Sequence, residues 1–269
     1  MKLLLAATLT LTLCCSTLSP AQNFEAYFEE CGLKGSITIF EYNTQTWLHS
    51  NPADAEIGTL PASTFKILHS LIALEERAVE NIHDTIPWDG HIYSFSGKPY
   101  APWNQDHTLQ SAFKYSAVWY YTEIAKRLEL RTYRSYLKAC KYSNRKIKKG
   151  QGVDFWNYGK MRVTPKEQIQ LLVKLYENDL PFQKHTHETV KEIMIEKQTD
   201  QYTLRAKTGW STQGFHNGWY VGFVEIPDNT IFFATRVKAP SDQRPKSFSK
   251  CRKSITKKIL AGRYKIDFQ

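Results

Sequence analysis

Leu60-Pro61-Ala62-Ser63-Thr64-Phe65-Lys66-Ile67-Leu68-His69-Ser70-Leu71-Ile72-Ala73-Leu74 opens the long central region of the chain. Its apolar residues Phe65, Ile67, Leu68, Leu71, Ile72 and Leu74 fall at helical spacing. Pro61 and Ser63 suit a chain entering a helix, so the pattern predicts one over Ser63–Ala78. Ser63 and Lys66 then lie one turn apart, an arrangement in which a serine nucleophile has its own base. Taken alone the pair says little. Ser-x-x-Lys recurs at Ser111/Lys114, Ser135/Lys138, Ser143/Lys146, Ser247/Lys250 and Ser254/Lys257, and a plain N-cap serine explains Ser63 as well. Far downstream, Lys207-Thr208-Gly209 closes a strand pattern, where it would hold an anionic substrate against that serine.

Working outward, Ser36–Tyr42 and Thr46–Ser50 read as strands joined by the turn-prone Asn43-Thr44. Helical patterns follow at Thr108–Tyr115, Val118–Leu128 and Thr132–Ala139, then a loop rich in Gly, Asn and Lys from Tyr142 to Met161. Thr164-Pro165-Lys166-Glu167 is a capping box with proline at the first helical position, opening a helix to about Asn178. Strand patterns return at Tyr202–Thr208, Trp219–Ile226 and Ile231–Val237, the last two parted by Pro227-Asp228-Asn229, and a basic helix covers Phe248–Leu260. This order predicts an α+β fold: an antiparallel sheet built from both termini (about 25–60 and 195–269) with an inserted helical lobe (about 61–194). Ser63 would lie where the lobes meet, and Lys207 on a strand would face it.

Residues 1–21 read as a secretory leader: Lys2, the apolar run Leu3–Leu13 and the small residues around Ser19-Pro20-Ala21. The run is too short for a stable membrane span, and export to the periplasm, or secretion where there is no outer membrane, is expected. Cys14 and Cys15 raise a lipid anchor, but Leu13 and Cys14 are poor residues ahead of a lipidated cysteine. The mature part, 22–269, is read as a single globular unit and keeps Cys31, Cys140 and Cys251, enough for one disulfide at most, with the pairing left open. Nothing has the Cys/His spacing of a zinc site; His185-x-His187 is read as a solvated loop, and no metal is expected. The net charge of +10 comes largely from Arg145–Lys149 and Lys246–Lys258. Neither stretch interleaves aromatics as a base-stacking surface would, so both read as solvated and no nucleic-acid partner is expected. A monomer or a homodimer is equally compatible with the sequence.

Ser63-Thr64-Phe65-Lys66, Ser116-Ala117-Val118 and Lys207-Thr208-Gly209 occur in an order that resembles serine β-lactamases and penicillin-binding proteins. Ser-x-Val in the middle, where most of that superfamily has an asparagine third, is similar to class D β-lactamases, the oxacillinases. Supporting matches are Pro102-Trp103-Asn104-Gln105-Asp106-His107, Trp119, Trp156 and Gly218-Trp219-Tyr220-Val221-Gly222, so the likeness covers roughly residues 25–260. One departure is Tyr142-Ser143-Asn144 where the family commonly has Tyr-Gly-Asn; serine lacks glycine's freedom, so the loop is expected to turn differently.

The resemblance implies hydrolysis of β-lactam antibiotics through an acyl-serine on Ser63, and so antibiotic resistance. It implies N-carboxylation of Lys66 by carbon dioxide or bicarbonate, the product serving as general base in a pocket formed by Phe65, Val118 and Trp156. Ser116 would pass a proton to the leaving nitrogen, Lys207 and Thr208 would meet the substrate carboxylate, and Gly209 would let the strand approach the substrate closely. The backbone N–H groups of Ser63 and Trp210 would form the oxyanion hole. Arg252 is the candidate carboxylate clamp, with Arg244 as the runner-up. Asp154, the sole acid between Lys138 and Lys166, is read as a turn residue rather than a base. The rival readings are a non-hydrolytic β-lactam sensor domain and a penicillin-binding D,D-peptidase.

Overall fold

A computed structural model describes residues 24–268 apart from 96, 149, 151, 244 and 245. The expected leader and Arg244 therefore lie outside the described residues. Ten strands run β1 (Lys34–Glu41), β2 (Thr46–His49), β3 (Thr85–Ile86), β4 (Ser94–Phe95), β5 (Lys98–Pro99), β6 (His107–Thr108), β7 (Ile195–Gln198), β8 (Thr203–Ser211), β9 (His216–Ile226) and β10 (Asn229–Ala239). Six form one antiparallel sheet in the order β2-β1-β10-β9-β8-β7, with Ile37 opposite Thr235 and Lys207 opposite Val221. The sheet thus takes strands from both ends of the chain, as the order of patterns predicts.

Helices α1 (Glu25–Glu29), α2 (Pro52–Ala55), α3 (Lys66–Glu75), α4 (Leu109–Tyr115) and α5 (Val118–Arg127) precede α6 (Leu130–Ala139), α7 (Phe155–Tyr158), α8 (Pro165–Glu177), α9 (Lys184–Ile193) and α10 (Phe248–Tyr264). Successive strand residues face opposite sides, so Tyr220 and Phe233 pack with Ile255 and Ile259 of α10. Trp219 and Phe232 join the core around α3 and α8. Both faces of β9 and β10 are covered, which is why they read as continuous apolar runs.

The capping box at α8 forms: the Glu167 N–H donates to Thr164 Oγ1 (3.0 Å) and the Thr164 N–H to Glu167 Oε2 (2.8 Å). Asn178 ends that helix in the left-handed conformation. The His185-x-His187 stretch is not a solvated loop but part of α9, with His187 fully buried. Its Nδ1 lies 2.9 Å from Gln183 O, and the Leu180 N–H donates to its Nε2 at 3.3 Å. The apolar periodicity is weak there because most of the buried side is polar: Thr186, His187 and Thr189 are buried with Val190 and Ile193, while Lys184, Glu188, Lys191 and Glu192 are charged. The C-terminal basic stretch is only partly solvated, since Arg252 is buried on the inner face of α10. Ser143 takes φ +60°, a left-handed value that glycine adopts more readily. Asn144 then ties the ends of the Tyr142–Met161 loop, its N–H donating to Arg162 O (2.8 Å) and its Nδ2 to Lys160 O (3.0 Å).

Cys31 and Cys251 form a disulfide joining the segment after α1 to α10, and Cys140 is a buried free thiol. Among the described residues no helix is long and apolar enough to cross a membrane.

Candidate active site

Ser63 sits inside a 3₁₀ turn, Ala62–Phe65, that leads into α3. It is therefore not the N-cap that its sequence context suggests; the turn tightens the entry so that α3 proper begins at Lys66. Ala62, just before Ser63, has φ +49°, a left-handed value uncommon for a residue with a Cβ. Fixed neighbours hold it there. Arg236, fully buried on β10 and paired with Asp54, donates from Nη1 to Ile57 O (2.8 Å) and Thr59 Oγ1 (3.2 Å). Trp219 donates from Nε1 to Leu60 O at 2.9 Å. On the far side Thr64 Oγ1 donates to Pro61 O (2.7 Å) and accepts from Gln168 Nε2 (2.7 Å).

Gly209 of β8 packs against this turn. A Cβ there would stand 2.8 Å from Pro61 O and 3.0 Å from Thr64 Cγ2. The glycine thus permits strand-to-turn contact, where the expectation was close approach to substrate. Gly209→Ala is expected to push β8 off the Ser63 turn, costing on the order of 1–3 kcal/mol. Thermal unfolding and turnover should both fall; an unchanged melting temperature would refute the contact.

Lys66 is fully buried, and its Nζ lies 3.1 Å from Ser63 Oγ and 4.9 Å above the Tyr121 ring. Burial pulls its pKa down to about 7, opposed by the charge of Asp154. Asp154, at the start of α7, is half-buried and burial pushes its carboxyl above the ordinary range. Its main-chain oxygen accepts from Asn157 N–H (2.9 Å), so Asp154 is the N-cap of α7. Trp156 of α7 is fully buried, 5.7 Å from the Phe65 ring and 4.9 Å from that of His69. Its indole N–H has no hydrogen-bond partner among the described residues.

Ser116 ends α4 in the left-handed conformation (φ +61°) instead of heading α5, and this turns its hydroxyl toward the sheet. There it accepts from Lys207 Nζ at 2.9 Å. Lys207 is buried, and burial first, then the positive charges of Lys66 and Arg252, holds its pKa well below the usual lysine value. Val118, half-buried at the start of α5, joins Ser63, Ser116, Thr208, Gly209, Trp210 and Arg252 on the wall of a cleft of about 820 Å³. Arg252 donates from Nη1 to Gly209 O, and burial lowers its pKa to about 10. Aromatic rings rim the mouth, with Phe95 of β4 edge-on to Trp210 at 5.0 Å between centroids.

Ser63, Ser116, Val118, Thr208, Gly209, Trp210 and Arg252 thus line one cleft, while Lys66 and Lys207 are buried against Ser63 and Ser116, and Phe65 and Trp156 are buried against each other. Tyr121, Tyr133 and His69 behind Lys66 were missed. His69 had a signal, since it lies on the same helix face three residues on. No group of three or more His, Cys, Asp or Glu side chains suited to a metal occurs among the described residues.

Known proteins share both sequence and fold. The family described as penicillin binding protein transpeptidase domain matches residues 42–261. The β-lactamase OXA-20 of Pseudomonas aeruginosa is 38% identical over 223 residues, 82% of this chain and 80% of that protein. OXA-48 of Klebsiella pneumoniae is 36% identical over 89% of this chain and 87% of its own. The crystal structure of a class D β-lactamase from Sebaldella termitidis superposes with a TM-score of 0.85 at 37% identity, covering 91% of this chain and 97% of that one. With its serine, lysines and Ser-x-Val motif set in that same frame, the chain belongs to the class D β-lactamases of the transpeptidase superfamily.

Proposed function

We infer that this protein hydrolyses the β-lactam ring of penicillin-type antibiotics through an acyl-serine on Ser63 and so confers resistance, as expected of a serine hydrolase of this family. The observation that carries the reading is Ser63 Oγ placed 3.1 Å from an amine that burial pulls to about pH 7. As Ser63 Oγ bonds the lactam carbonyl carbon, the base at Lys66 takes the Oγ proton, the C–N bond breaks and Ser116 gives a proton to the departing nitrogen. Lys207, hydrogen-bonded to Ser116, resupplies that proton. Water then attacks the ester carbon, the acyl–oxygen bond breaks, and Ser63 recovers its proton.

A carbamate on Lys66, made when the neutral amine bonds the carbon of carbon dioxide and loses a proton, supplies a carboxylate-like base beside Ser63. The site residues suit such a group: the amine is buried and the Trp156 indole N–H is unpartnered. Val118 keeps that end of the cleft apolar and Phe65 backs it, which favours the uncharged amine. Thr208 and Arg252 on the cleft wall receive the substrate carboxylate, and the N–H groups of Ser63 and Trp210 its carbonyl oxygen. The leader at residues 1–21 directs the protein to the periplasm, where these antibiotics act.

The test mixes purified mature protein with penicillin and a chromogenic cephalosporin, with and without bicarbonate. Multiple turnover that rises with bicarbonate is expected. A single equivalent of stable Ser63 adduct would instead make the chain a sensor, and no adduct at all would overturn the assignment.

A further inference from the structure

His69 is fully buried, on the helix face that carries Lys66. Its ring touches Trp156 edge-on at 4.9 Å and lies 5.1 Å from Tyr121, the ring over which Lys66 Nζ sits. Nε2 is 2.6 Å from the Tyr133 hydroxyl, while Nδ1 has no partner among the described residues. Two other buried histidines behave differently. His107 pairs both nitrogens, with Ser111 Oγ (2.8 Å) and Pro102 O (2.9 Å), and His187 pairs both with backbone groups. An unpaired ring nitrogen is therefore not how this fold ordinarily buries histidine.

The proton can be assigned. Tyr133 is buried and its hydroxyl has the imidazole as its hydrogen-bond partner, so its O–H donates to Nε2. The alternative, Nε2–H donating to Tyr133, would strand the hydroxyl proton as well as Nδ1. Burial and the neighbouring Lys66 charge keep the ring neutral, so its single hydrogen is on Nδ1. In the cluster that holds the Tyr121 ring, over which Lys66 Nζ sits, there are then two buried N–H donors without acceptors among the described residues, His69 Nδ1–H and Trp156 Nε1–H. Unpaired buried donors are costly, and two in one cluster with a buried amine call for an acceptor.

We propose that His69 is a positioning residue for the base: its Nδ1–H and the Trp156 Nε1–H together cradle an anionic group carried on Lys66 Nζ, and Tyr133 fixes the tautomer that makes this possible. The inference rests on the carboxylated lysine of the preceding reading and adds its second donor. It gives His69, Tyr133 and Trp156 one shared purpose, holding negative charge where Ser63 Oγ can deliver a proton.

The test is a titration of mature protein with ¹³C-bicarbonate, following the Lys66 carbamate carbon by NMR, with melting temperature as the control for folding. Loss of one charge-assisted hydrogen bond should raise the bicarbonate needed for half-occupancy roughly 10-fold in His69→Leu. His69→Asn, which keeps a donor, should recover part of that shift, and Tyr133→Phe, which frees the tautomer, should lie between. A role confined to packing would lower the melting temperature and leave the titration midpoint in place. Half-occupancy of His69→Leu at the wild-type concentration would overturn the proposal. Should that variant fail to fold, an unshifted midpoint in Tyr133→Phe would do so. Absence of any carbamate signal from the wild type would overturn the carboxylated-lysine reading and this inference with it, an outcome separate from the other two.

Discussion

Ser63→Ala is expected to abolish β-lactam turnover, with a loss of at least about 10⁴-fold, the scale on which removal of a nucleophile is felt. No neighbouring hydroxyl is free to substitute. Thr64 Oγ1 is held between Pro61 O and Gln168, and Ser116 Oγ is engaged by Lys207. The fold should survive, because Ser63 is half-buried and among the described residues its hydroxyl pairs with Lys66 Nζ alone. Mass spectrometry after mixing with penicillin should show the acyl adduct on the wild type and none on the variant, at matching melting temperatures. An adduct on the variant would move the nucleophile elsewhere.

Lys66→Met should separate activity from stability, moving them in opposite directions. Turnover falls by roughly 10²–10⁴-fold, the usual contribution of a positioned base. Melting temperature at pH 6 should rise, because a buried ammonium is replaced by an apolar chain of similar length. The pH dependence follows from the same group. Its pKa is about 7 when folded and 10.5 in the unfolded chain. Below pH 7 both states hold the proton and the burial cost is at its full value. Between pH 7 and 10.5 only the unfolded chain holds it, so this group makes the protein more stable as pH rises through that window. Wild-type turnover should climb from pH 6 to 8 as the amine becomes neutral. A flat profile, or a variant that melts earlier at pH 6, would contradict the assignment.

The sheet was legible from its termini inward because β9 and β10 are buried on both faces and leave long apolar runs, with a turn signal at Pro227-Asp228-Asn229 between them. The helix at Pro165 announced itself through local chemistry, a threonine and a glutamate three residues apart. The helix at Lys184 did not, since only Val190 and Ile193 of its buried side are apolar and the polar Thr186, His187 and Thr189 are buried beside them. Ser63, Lys66, Ser116 and Lys207 could be read from motif order, but their contacts could not. Motif spacing does not reveal that Ser116 turns left-handed to reach Lys207, or that Gly209 is needed by Pro61. Nor does it reveal an indole and an imidazole left without acceptors, because those are properties of how distant side chains close on one another.

The bridge between Cys31 and Cys251 joins positions separated by 220 in the sequence. Tying so long a loop removes conformations from the unfolded chain worth about 5 kcal/mol in an entropic account. It also makes one covalent circuit of everything from β1 to the start of α10, with Ser63, Ser116, Lys207 and the half-cystine next to Arg252 all threaded on it. A protease that nicks any surface loop inside the circuit leaves both pieces on a common tether, able to reassemble the cleft without finding each other by diffusion. For a folded chain that has been cut, that is a form of endurance.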